Sequence, residues 1–322
     1  MRIMTLPFAT LLLTLISCSS NQNPTEYASD YKEIVTDLFI QGNWNESIRI
    51  ASIELRNPNI SAHDQLFYLL KKGENFRFSE KYDSADVYFN RILSHPEIHK
   101  YPNFKGWALY GIGDLKYLSW SYFKVEEALD QAIPLLDSAM FYAEKSKDQS
   151  LISQVLYRSG SILQIQGEVE KSLANFNRGL EISINAADTA GIIRNDIHTA
   201  SDLEELGQLD SALFHYKRAY ELAKKLNKNY TEAHALCNLG LFYFDRNDFE
   251  TAEEFFKRAQ YISEELNHGI ILCRSYYYLA RLYTALNEDE LSEKFLTKGL
   301  EIAKKKGYKN YENAFASFSS NN

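Results

Sequence analysis

No catalytic signature is found along this sequence. The nucleophile elbow G-x-S-x-G, the zinc motif H-E-x-x-H and a phosphate-cradling glycine loop are all absent. Gly111-Ile112-Gly113 lacks a third glycine and falls in a predicted helix, where small residues serve packing. There is no strongly basic tract either. Lys and Arg total 35 against 43 Asp and Glu, a net charge of −8. A chain that must neutralise phosphates needs the opposite balance, so nucleic acid is not an expected partner. Cysteines number only three. Cys237 and Cys273 fall at different positions of the repeat described below, so two half-buried thiols are expected rather than a bridge. His95 and His99 flank Pro96 with no Cys or further His beside them, which leaves no metal site. We therefore expect no enzyme, no catalytic residues, no metal and no cofactor.

What is present is a period. Stepping by forty residues gives Ala139, Gly179, Ala219, Ala259 and Gly299, all small. Five Ala or Gly in a row by chance is on the order of one in 10^4. A second small column reads Ala132, Ser172, Ala212, Ala252 and Ser292. Four residues later the column is large: Leu136, Phe176, Tyr216, Phe256 and Leu296. An earlier register pairs small Gly160, Ala200, Gly240 and Ala280 with large Leu163, Leu203, Tyr243 and Tyr283. Each unit has two apolar stripes at helical spacing, separated by a turn at Gly167, Gly207, Asn247 or Asn287. Small side chains let two helix backbones approach, and large ones fill the gap beside them. One such hairpin cannot bury its own apolar faces, but stacked copies can.

Leu239-Gly240, Tyr243, Ala252, Phe256 and Ala259 resemble the tetratricopeptide repeat residue by residue, in a variant of forty rather than about 34 residues. The resemblance implies an all-α fold: an α-solenoid of about seven hairpins wound into a right-handed superhelix. Residues 30–100 read as two degenerate hairpins and 104–306 as five hairpins of the repeat, of which the third unit, about 104–146, is irregular. Residues 307–322 read as a capping or truncated helix. In the third unit Asp130 is expected as an N-cap, with Pro134 in or just past the first turn.

At the other end, Arg2 precedes the apolar run Leu6–Ile16, which is too short to span a bilayer. Leu15-Ile16-Ser17-Cys18 resembles a bacterial lipobox, so residues 1–17 read as a signal peptide and Cys18 as the lipidated residue. Acylation by more than one chain anchors stably, since each buried methylene contributes about 0.8 kcal/mol. Residues 18–29 are polar and read as a flexible tether. They lack an acidic cluster, which favours the outer membrane facing the periplasm over the cell surface.

The first helices of a tetratricopeptide solenoid line a concave groove that holds a peptide or another protein. Counted along each repeat, the inward positions are Tyr157, Arg158, Arg194, His234, Asn238, Arg274, Tyr277 and Arg281. Arg194, Asn238 and Arg274 match in part the family subset that grips a terminal carboxylate, although His234 and Tyr278 depart from it. His198 reads as a lone polar-face residue. Trp107, Tyr110 and Tyr117 share one helix face, where they either stack on sugar or pack on the neighbouring helix. The leading expectation is a lipid-anchored scaffold binding a protein or peptide in the cell envelope. The alternatives are a sensory module acting through a separate kinase or regulator, and a glycan-binding lipoprotein. For the anchor, Cys18→Ala should move the chain from the membrane to the soluble fraction, and membrane retention of that variant would refute lipidation.

Overall fold

The glycines, alanines and serines of the small columns decide the architecture, because each sits where a larger side chain would push helices apart. The computed structural model describes residues 24–225 and 229–320. Among the described residues there are fifteen α-helices and no strand. The first hairpin is α1 (Pro24–Ile40) with α2 (Trp44–Glu54), and the second is α3 (Ala62–Phe78) with α4 (Tyr82–Leu93). After a single 3-10 turn at Ile98–Lys100 come α5 (Pro102–Phe123) and α6 (Ala128–Ser146). The regular hairpins are α7 (Gln149–Ile165) with α8 (Val169–Asn185), and α9 (Thr189–Glu205) with α10 (Leu209–Lys225). They continue as α11 (Asn229–Phe244) with α12 (Phe249–Leu266), and α13 (Gly269–Ala285) with α14 (Asp289–Lys306). The last helix is α15 (Lys309–Ser320). Each helix packs on its hairpin partner and on the next hairpin, so the chain is an α-solenoid.

In three of the hairpins the joining contact is a ring laid on a glycine. A Cβ built on Gly160 would meet the Phe176 ring at 2.7 Å, and one on Gly240 would meet Phe256 at 2.5 Å. Phe89 fills the same role twice, against Gly73 in its own hairpin and Gly111 in the next. Ala132, Ala139, Ala212, Ala219, Ala252 and Ala259 have no solvent exposure. The turns follow the sequence chemistry. Gly167 and Gly207 adopt φ +74°, Asn247 +61° and Asn287 +59°, the left-handed geometry these residues tolerate. Asn267 and Gly307 do the same after second helices, and Asn227 lies outside the described residues.

Three expectations are corrected. Helix α1 starts at Pro24, so the second half of the expected tether is helical; proline is well suited to a first helical position. Helix α6 starts at Ala128 with Glu127 as N-cap, which puts Asp130 in the first turn and Pro134 inside the helix. The packing of α6 on α5, built on Leu136 against Gly113, outweighs the hydrogen bond that proline removes. Cys237 and Cys273 are free thiols and are fully buried rather than half-buried.

The solenoid closes on itself. Helix α15 covers the last hairpin, inserting fully buried Phe315 on Gly299, and also reaches α5, where Tyr311 stacks on Tyr122 at 6.4 Å. Phe78 at the end of α3 meets Tyr230 of α11 edge-on at 5.6 Å. Glu80, in the α3–α4 turn, provides the polar part of this closure. Its carboxylate accepts from the amides of Gly269 at 3.3 Å and Ile270 at 3.0 Å, and from Lys306 Nζ at 2.9 Å. His268, the N-cap residue of α13, makes no side-chain cap bond. Glu80 therefore supplies from a distant hairpin the acceptor that this helix end lacks. Burial works against the Glu80 carboxylate, but His268, Lys306 and the Ile270 amide outweigh it and hold its pKa below the usual range. Glu80 keeps a left-handed φ of +60°, a strained state for a non-glycine residue.

Replacing Glu80 with Ala should cost about 1–3 kcal/mol, from one lost cap and one buried charged hydrogen bond. Amide exchange at the first turn of α13 should accelerate and the small-angle scattering radius should grow. An unchanged scattering profile with unchanged exchange would show that Glu80 does not hold the ring closed.

Candidate functional site

Closure turns the concave side into a cavity of about 620 Å³. Its wall is made mainly by the first helices of successive hairpins, from the end of α1 through α3, α5, α7, α9, α11 and α13, and by α15. Six of the eight groove residues expected from the repeat register line it: Tyr157, Arg158, Arg194, His234, Arg274 and Tyr277. Asn238 and Arg281 do not. Asn238 is buried, donating to the His234 carbonyl at 2.8 Å and accepting from Arg274 Nη2 at 3.2 Å. The asparagine of the carboxylate-gripping pattern is thus spent on its own chain. Arg281 lies over the Phe244 ring at 4.9 Å. Cys18 lies outside the described residues.

Arg158 is not free to engage a ligand by itself. It is 3% exposed and ion-paired to Asp114 of α5, which also takes Arg77 of α3. Burial opposes ionisation of Asp114, yet Arg158 and Arg77 outweigh it and hold its pKa below the ordinary carboxylate range. The triad ties three consecutive first helices together across the cavity floor. Register counting missed Arg77 and Asp114 because it began at the fourth unit; both lie on its columns, eighty residues before Tyr157 and Arg194.

Arg194 and Arg274 are different. Among the described residues neither has a carboxylate within salt-bridge distance. The Nε and Nη2 atoms of Arg194 are shut off from solvent and have no hydrogen-bond partner. Aromatic faces support both cations: Arg194 over Tyr157 at 5.1 Å and Arg274 over Tyr278 at 5.9 Å. His198, expected as a bland surface residue, also faces the cavity, with its ring 5.0 Å from Tyr157 and 6.4 Å from His234. Trp107 and Tyr110 line the wall but bond to α7 and its cap, Trp107 Nε1 to Asp148 at 2.8 Å and the Tyr110 hydroxyl to Gln154 at 3.0 Å.

No group of three or more His, Cys, Asp or Glu among the described residues could hold a metal ion. His95 bonds instead to Gln65 at 2.6 Å. No described helix is long and apolar enough to cross a membrane.

Helical hairpins stacked about an inward-facing wall define a repeat solenoid, and comparison agrees. Residues 151–225 and 231–305 match the tetratricopeptide repeat family. No curated protein matches the sequence. Among solved structures, the Rap protein complexed with competence and sporulation factor aligns with a TM-score of 0.68 at 16% identity, covering 91% of this chain and 80% of that one. NprR in complex with its cognate peptide NprX aligns with a TM-score of 0.62 at 17% identity, covering 92% and 83%. Bacillus thuringiensis PlcR, in complex with the peptide PapR7 and DNA, aligns with 0.53 at 17%, covering 66% and 75%. At such identities the likeness is one of fold.

The buried histidines His198, His234 and His268 make stability depend on pH. Burial, reinforced by Arg158, Arg274 and Arg194, pushes His198 down to about 3. Burial and Arg274 push His234 down as well, and burial takes His268 to about 4. In the unfolded chain these rings titrate near pH 6.5. As pH falls below that value the unfolded state binds protons the folded state refuses, so stability drops through the window from 6.5 toward 4. The melting temperature should therefore be lower at pH 5 than at pH 7.5, and His198→Gln should flatten part of the slope. Circular dichroism melts with no pH dependence over that window would refute the neutral, buried assignment.

Proposed function

We propose that this chain is a non-enzymatic receptor that holds a short peptide, or an extended segment of a partner protein, inside the closed solenoid. The single observation that carries this reading is the cavity itself. At about 620 Å³ it falls within the roughly 300–1,000 Å³ of small-ligand sites and is too small for a folded domain. Its wall is rich in Tyr and Arg, the residues that dominate recognition surfaces because they combine rigid area with directed donors. Three proteins of similar fold are described with a factor or peptide bound: Rap with competence and sporulation factor, NprR with NprX, and PlcR with PapR7.

In this reading Cys18 carries the lipid and the receptor works in the cell envelope, on the periplasmic side of the outer membrane. A sensory role through a separate kinase or regulator is the second reading, supported by the description of apo NprR as a quorum sensor.

Affinity selection from a random hexapeptide pool, read by mass spectrometry, tests the site. Wild type should enrich a defined peptide set, and Ala190→Trp, which fills the cavity from α9, should lose it while keeping its helicity. Undiminished enrichment by the filled variant would place the binding surface elsewhere.

A further inference from the structure

The rim on which the first helices end carries a surface that the cavity does not use. Val125, Ile165, Leu206 and Leu209 sit at three successive turns, α5–α6, α7–α8 and α9–α10. They are 44%, 41%, 36% and 43% exposed. Val125 and Ile165 are one forty-residue step apart, and Leu206 lies one residue past the next step. Helices α5, α7 and α9 pack side by side, so the four side chains form a row along the rim. Single apolar residues on a surface are ordinary, but a row of them is not. Farther along the rim the equivalent positions are covered. Phe249, one repeat after Leu209, and Leu286, two repeats after Leu206, are partly buried against the core. The uncovered row is confined to three hairpins, about 20 Å at roughly 10 Å per packed helix.

Carboxylates flank the row. Glu126, Glu127, Glu170, Glu205 and Asp210 are exposed and, among the described residues, have no cation within salt-bridge distance. The cations of this edge are already used: Lys171 holds Glu168 at 2.8 Å and Arg246 holds Glu204 at 2.8 Å. The helix dipole accounts for Glu170 and Asp210, which stand in the first turns of α8 and α10. It does not account for Glu205, the last residue of α9, where the dipole disfavours an anion. Neither α7 nor α9 has a basic residue in its last turn, where one would stabilise the helix. Stability alone would have placed Lys or Arg along this edge.

We propose that this rim is a docking surface for a basic amphipathic helix of a partner protein, its apolar face on Val125, Ile165, Leu206 and Leu209 and its Lys or Arg residues beside the unpaired carboxylates. The kind of occupant follows from the surface. A row one side chain wide fits the narrow apolar stripe of a helix, and about 20 Å spans nearly four helical turns of 5.4 Å. The negative edge selects a cationic polar face and repels an anionic one, anionic lipid included. None of the four apolar residues lines the cavity, so this surface stands apart from the cavity reading.

Fluorescence anisotropy tests it with a labelled peptide of about 14 residues, long enough for the row at 1.5 Å per residue, carrying Leu on one helical face and Lys on the other. Its controls are a scramble of the same residues and a version with Glu for Lys. Wild type should bind the patterned peptide, with affinity that falls as salt rises, and should bind both controls about tenfold more weakly or worse. The pair Leu206→Ser with Leu209→Ser, and separately the pair Glu205→Lys with Asp210→Lys, should each weaken binding about tenfold. All four side chains are exposed, so circular dichroism melts of both variants should match wild type; should one melt early, the other carries the test. Ala190→Trp, which fills the cavity, should bind the peptide normally. Loss of binding in Ala190→Trp, with both rim variants unaffected, would put the peptide in the cavity and overturn the rim proposal while leaving the cavity reading standing. A scramble that binds as tightly as the patterned peptide, or a patterned peptide that wild type does not bind, would also overturn it. Self-association of wild type in sedimentation velocity, abolished by both rim variants, would make the occupant a second copy of this chain and overturn the assignment to a partner helix.

Discussion

A phenyl ring seated on a glycine is the contact on which the molecule depends. Phe176 on Gly160 and Phe256 on Gly240 set the distance between the two helices of a hairpin, and Phe89 sets it across two successive hairpins through Gly73 and Gly111. Any larger residue at these glycines would meet ring atoms below 3.0 Å, and interiors packed at crystal density have no room to yield. Because the same small-against-large contact recurs every forty residues, each hairpin presents its neighbour with nearly the same face. The angle added per hairpin is then nearly constant, and the chain curves.

Curvature alone would leave an open groove. The N-terminal hairpins meet the C-terminal ones because two elements outside the repeat pattern bridge them. The first is Glu80, whose carboxylate caps α13 and pairs with Lys306. The second is α15, which serves as cap for α14 and as wall against α5. Both are built from groups that the repeat arithmetic treats as noise: a strained turn residue and a short terminal helix. The closure also explains the aromatic surplus. Tyr122, Tyr230, Tyr308 and Tyr311 sit where remote hairpins touch, and broad flat rings tolerate small changes in approach angle better than interlocked aliphatics do.

The sequence made the hairpins legible and the ring invisible. Turn glycines and asparagines, small columns and their large partners could be read directly, because each is a local consequence of a local constraint. Tyr157, Arg194, His234, Arg274 and Tyr277 were found the same way, by counting along a repeat. Asp114, Arg77 and His198 were missed although the step of forty reaches them, Asp114 and Arg77 eighty residues before Arg194 and Tyr157, and His198 forty after Arg158; the count began at the fourth unit, and no single repeat encodes that these positions meet across a closed cavity. Asn238 and Arg281 were misplaced for a related reason. Register fixes which side of a helix a residue occupies but not whether a neighbouring helix, here α13 with Arg274 or the Phe244 ring, has already claimed it.

The tyrosines of the cavity resolve an apparent contradiction in its energetics. A salt bridge would hold Arg194 in place but would also neutralise it, and the cation would no longer be available to a ligand. Stacking on Tyr157 orients the guanidinium plane and contributes about 0.5–2 kcal/mol without cancelling its charge. Arg274 rests on Tyr278 in the same way, with neutral Asn238 as a hydrogen-bond acceptor. Arg158 shows the contrast: it stacks on Tyr117 at 4.0 Å and is also paired with Asp114, so its charge is fixed and spent on structure. The cavity thus separates two classes of arginine by what lies beside them. Where a carboxylate is supplied by the chain, the arginine holds the ring together. Where only an aromatic face is supplied, the cation is ordered in advance but left uncompensated, and the entropy of positioning it does not fall on the binding step.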